Sequence, residues 1–100
     1  MVDLKVYDKA SWHIDSGQKE AEVIMRFRKI FQFLAEKGFL SNDGIEVYEF
    51  AMDSSVSLNT TMVNEDGAKF LDRYYEDVLK NSSANVEKVL NKLYSRPKAT

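Results

Sequence analysis

The sequence predicts an all-α fold, a compact small bundle of about four helices preceded by a short extended N-terminal arm. Three features predict it. Apolar residues recur at spacings of three and four through long stretches, capping residues and single glycines punctuate those stretches, and two-residue alternation is confined to short runs. The chain has 100 residues, enough for one core, so residues 1–100 read as a single domain. It has no cysteine, so apolar packing has to supply the stability that disulfides lend to other small domains.

The arm covers residues 1–14. Val2, Leu4 and Val6 alternate with Asp3, Lys5 and Tyr7, the period of a half-buried strand. The other β-like run is Ser55 to Val63, and pairing of the two would make the fold α+β with a minor two- or three-stranded sheet. The first helix is expected near 18–37, where Val23, Phe27, Ile30, Phe31 and Leu34 form the buried stripe. Asp15 or Ser16 would cap its start and Gly38 would end it. Ile24, Met25 and Phe33 widen its apolar arc, and Met25 with Phe33 is the place where a homodimer would form.

Two later segments repeat one device at an offset of 23 residues: Leu40-Ser41-Asn42-Asp43-Gly44-Ile45 and Val63-Asn64-Glu65-Asp66-Gly67-Ala68. Each reads as a helix start. Ser41 or Asn64 is the N-cap, Asp43 or Asp66 lies in the first turn, and Leu40–Ile45 or Val63–Ala68 has the spacing of a hydrophobic staple. The helices they open are expected near 42–52, with Ile45, Tyr48 and Met52 inward, and near 65–80, with Ala68, Leu71, Tyr75, Val78 and Leu79 inward. Beyond Asn81-Ser82-Ser83 a last helix spans 85–95 on Val86, Val89, Leu90 and Leu93, and 95–100 form a mobile tail beyond it.

Charge is sorted along the chain although the net charge is only −2. Residues 41–77 hold nine acidic and two basic groups, and residues 78–100 hold five basic and one acidic. Such a block favours association with a basic protein and disfavours nucleic acid, whose phosphates need clustered Lys and Arg. Met1 to Lys9 carries four charges and no stretch of about 18 apolar residues exists, so neither a signal peptide nor a membrane span is expected. With no cysteine, a cytoplasmic location fits.

Catalytic chemistry has one place to start, Ser11-Trp12-His13-Ile14-Asp15-Ser16-Gly17, with the only tryptophan and histidine. His13 as base, Asp15 as its orienter and Ser11 or Ser16 as nucleophile would make a small hydrolase. However, triad members usually converge from separate elements and there is no Gly-x-Ser-x-Gly elbow. The default reading is structural: Trp12 and Ile14 anchor the chain onto the first helix while Asp15 or Ser16 caps it, leaving His13 at the surface or bonded to backbone. A third reading makes Trp12 and His13 a recognition spot. No metal site is expected: placing Gly44 or Gly67 at the invariant glycine of a calcium loop puts Phe39 or Met62 where the first carboxylate belongs. The glycines are too scattered for a phosphate cradle, and no cofactor is expected.

The expected function is therefore a non-enzymatic protein-binding module, of the kind an immunity protein or a regulator uses. Asp43, Glu46, Glu49, Asp53, Glu65 and Asp66 would steer a basic partner, with Tyr48 or Tyr74 as anchor and Trp12 and His13 as further contacts. A winged-helix-like nucleic-acid-binding regulator is the alternative, and the His13 hydrolase a third.

Overall fold

The computed structural model describes residues 5–80 and 85–95. Within them the chain is mostly helical, with five helices and one two-stranded antiparallel sheet. In order these are β1 (Val6–Lys9), α1 (Ala10–Asp15), α2 (Glu20–Glu36), α3 (Asn42–Phe50), β2 (Ser57–Asn59), α4 (Glu65–Lys80) and α5 (Val86–Ser95). The helical reading holds in outline, and the minor sheet makes the α+β description the closer one. Val2 and Leu4, the Asn81–Ser83 break and the tail from 96 onward lie outside the described residues.

α2 is the central element and packs on α1, α3 and α5, while α4 packs on α5. Its stripe is buried as the spacing predicts: Val23, Phe27, Ile30, Phe31 and Leu34 meet Leu58, Leu71, Val78 and Leu90 in one core. Each such side chain taken from water contributes roughly 1.5–3 kcal/mol. Phe33 belongs to this core as well, 2 % exposed against Phe70 and Tyr94, whereas Met25 is 59 % exposed. Of the two residues expected to form a homodimer face, only Met25 offers surface.

The extended arm ends at Lys9. Residues 10–14, expected to continue it, turn into α1, where Ala10 is buried and its N–H donates to the Val56 carbonyl. Six residues are too few to show an apolar period, and the tertiary contact decides their conformation. Asp15 and Ser16 consequently close α1 and do not open α2. Gly17 follows at φ 106°, Gln18 N–H donates back to the His13 carbonyl, and α2 begins after Lys19 without a side-chain cap. At the far end of α2, Gly38 takes the left-handed conformation expected of it, φ 72°.

The parity expected of the first strand fails for a local reason. Val6 pairs with Asn59 but Asp8 pairs with the adjacent Leu58, so two residues of β1 are matched by one of β2. This bulge breaks the alternation, and the neighbours Tyr7 and Asp8 are both buried.

The repeated caps come together. Leu40 and Val63 form an antiparallel bridge, and the hydrogen bonds around it come in pairs related by the 23-residue offset. Ser41 N–H donates to the Met62 carbonyl at 3.0 Å and Asn64 N–H to that of Phe39 at 2.9 Å. The Ser41 hydroxyl donates to the Thr61 carbonyl and the Asn64 amide to that of Gly38, both at 2.6 Å. Each side chain also accepts from the glycine three residues on, Gly44 at 3.1 Å and Gly67 at 2.9 Å. The glycines are there for space, since a Cβ on Gly44 would collide with the Met62 carbonyl oxygen and one on Gly67 with that of Phe39. The staple expected at Leu40–Ile45 does not close: Leu40 is buried under the bridge and Ile45 points outward, 42 % exposed. Leu79 is likewise 37 % exposed on the flank of α4, where it was expected inward.

Candidate functional site

His13 finds its carboxylate in Asp8, across the β1–α1 corner, and not in Asp15. Asp8 is 2 % exposed and accepts from three donors. One oxygen lies 2.7 Å from His13 Nε2 and 2.9 Å from the Lys9 N–H, and the other accepts the Tyr75 hydroxyl at 2.6 Å. A buried carboxylate needs such a set to offset desolvation. His13 Nδ1 faces the Gln18 amide at 3.3 Å and the ring packs edge-on against Phe27, so both nitrogens are engaged. Beside this pair lies its mirror. Tyr7 donates to Asp72 at 2.8 Å, and Lys5 binds the same oxygen at 2.8 Å. The dipeptide Tyr7-Asp8 on the bulged strand thus exchanges hydrogen bonds with Asp72 and Tyr75, one turn apart on α4.

The titration behaviour follows from this clasp. Burial, with Asp8 as the next cause, pushes the Tyr75 hydroxyl well above its ordinary value. Burial followed by the hydrogen bond to Asp72 raises Tyr7. Asp72 is lowered, chiefly by Lys5 and then by Tyr7. The cluster joins β1 and α1 to α4, and the groove found among the described residues lies elsewhere, between α4 and α5. Trp12 is turned outward, 53 % exposed, with the Lys9 ammonium over its ring, so the anchoring expected of Trp12 is performed by His13 and Ile14.

The expected acidic residues fall into separate settings. Asp53 accepts from the Ser55 N–H and hydroxyl, which lowers its pKa. Glu65 pairs with Lys69 at 3.5 Å on α4, and Asp66 lines the groove there. Asp43, Glu46 and Glu49 lie together on α3, exposed, with no ion pair among the described residues. At 100° per residue, Gly44, Val47 and Tyr48 form the inward arc of α3, and Ile45, Glu46, Glu49 and Phe50 form the outward one, flanked by Asp43. Tyr48 is half-buried against the core, while Phe50 is 81 % exposed. Phe50 is not among the residues expected to bind, and with Val47 three residues before it the apolar spacing carries no sign that it faces out; only the fold shows it exposed. No family model, curated protein or solved structure matches the chain.

Proposed function

We propose that this chain is a non-enzymatic protein-binding module whose α3 presents an acidic face with apolar anchors to a basic protein, as an immunity protein or a regulator does. The observation that carries this reading is the outward arc of α3. Three carboxylates stand there without counter-charges among the described residues, around exposed Ile45 and Phe50. Solvent-exposed acids of this kind steer association more than they hold it, and a central aromatic supplies the affinity. Phe50 fits that second role better than Tyr48, whose ring is partly committed to the core. Trp12 is a further exposed aromatic.

The test is affinity capture from the cell of origin, with the wild-type chain beside D43K/E46K/E49K and F50S. A basic protein retained at low salt, weakened as salt shortens the screening length, lost with the triple reversal and lost with F50S is the expected result. An identical captured set for all three baits would remove the reading.

A further inference from the structure

A cavity of about 560 Å³ opens between α4, the turn before α3 and the end of α5. This is within the range of small-molecule sites, which run from roughly 300 to 1,000 Å³. Its walls are aromatic: Phe39, Phe70, Tyr74 and Tyr94, with Phe70 centred 5.5 Å from Phe39 and 5.1 Å from Tyr74. Tyr94 remains 47 % exposed, so part of its ring stays open to an incoming group although Lys37 and three phenylalanines pack around it.

The polar lining is distinctive for where it occurs. The acidic stretch 41–77 contains two basic residues, Lys69 and Arg73, and both line this cavity. Arg73 lies over the Tyr74 ring, 5.5 Å from its centroid, and has no carboxylate partner among the described residues. Lys37 lies outside the lining, 4.6 Å above the Tyr94 ring. A guanidinium stacked on one ring keeps its planar fork of donors for a carboxylate, the pairing that shape favours. Asp66 stands seven residues before Arg73 on α4, about 10 Å along the axis, and would repel a second negative group at that end.

We infer that this cavity binds a small planar aromatic monocarboxylate. The ring stacks among Phe70, Tyr74 and Tyr94, and the carboxylate sits on Arg73, with Lys69, already paired to Glu65 at 3.5 Å, as a secondary cation. Offset stacking holds the ring, and the charge-assisted pair with the exposed Arg73 fixes the direction of the carboxylate. The site shares nothing with the outward arc of α3, so it stands or falls independently of the protein-binding reading.

The probes are 2-naphthoate and its neutral counterpart 2-naphthamide, titrated into the full chain and followed by amide chemical shifts. Saturable shifts are expected at residues 69–74 and Tyr94, with the acid binding about tenfold more tightly than the amide, as one charge-assisted bond implies. Arg73→Gln should weaken the acid about tenfold and leave the amide unchanged, and Lys69→Gln should act in the same direction with a smaller factor. Arg73 is exposed, so the variant keeps its fold and wild-type dispersion of the spectrum verifies this. Equal affinities for acid and amide, an unchanged Arg73→Gln, shifts centred on Phe50 or Trp12, or no saturation at millimolar probe would each overturn the inference.

Discussion

Tyr7 and Asp8 show how two adjacent residues can govern an interface when a bulge turns both inward. Each makes the opposite half of a Tyr–Asp bond to α4, but only the Tyr75 hydroxyl serves a buried acceptor, since Asp8 is enclosed and Asp72 is half exposed and also held by Lys5. Tyr75→Phe should cost about 2 kcal/mol, read from urea denaturation at neutral pH, because Asp8 loses a donor it cannot replace with water. Burial of these hydroxyls, and after it the same bonds, shapes the alkaline limb of the stability profile. Tyr75 and Tyr7 both hold their protons above the ordinary value of 10.0, so the unfolded chain loses protons that the folded one keeps. Stability from these groups is complete below about pH 10 and falls as pH rises beyond it. The midpoint in urea should therefore be flat from pH 8 to near 10 and decline above, and Tyr75→Phe should flatten the decline. A steeper decline in the variant would contradict the assignment. Gly44 offers a second residue-scale test. Glycine to alanine inside a helix ordinarily stabilises by about 1 kcal/mol, yet Gly44→Ala should destabilise by roughly 1–3 kcal/mol because the added methyl meets the Met62 carbonyl.

Among the elements, the paired caps matter more than the helices they begin. Ser41 and Asn64 each accept from their own helix and donate to the other loop, so Ser41→Ala and Asn64→Ala should each cost about 1–2 kcal/mol. Their double mutant should depart from additivity, since both tie the same bridge, and chemical denaturation of the four variants measures the coupling. The caps were legible because capping chemistry is local: a Ser or Asn, an acid and a glycine at fixed spacing report a helix start without knowledge of the partner. Their mutual embrace was not, because nothing in either segment says that 23 residues later a copy will face it. For the same reason the periodic stripe of α2 could be read directly and α1 could not. Phe27 and Phe31 announce a buried face by their spacing, whereas Ala10 to Asp15 is helical only because Val56 and Asp8 lie where they do. Of the candidate site, the sequence carries the composition and not the arrangement. Charge counting found the acidic stretch, but only the fold separates Glu65, committed to Lys69, from Glu46 and Glu49, which are not.

The whole molecule is built around one apolar core, to which β1, α1 and β2 are sewn by Ala10, Asp8 and Leu58. Unfolding is accordingly expected in a single step. Emission from Trp12, which reports on α1, and far-ultraviolet dichroism, which reports on all the helices, should give coincident urea transitions. An earlier fluorescence transition would mean that the N-terminal unit detaches by itself. α3 stands apart within this unity. Its first turn is fixed by the Ser41 cap and by Gly44 against the neighbouring loop, but beyond Gly44 no residue of it is fully buried. It is held most tightly at its root, with Val47 and Tyr48 only partly buried further along, and amide protons along Tyr48 to Phe50 should exchange sooner than those of α2. A partner seated on the outward arc of α3 would therefore load the Ser41 cap, which shares the Leu40–Val63 bridge with the start of α4.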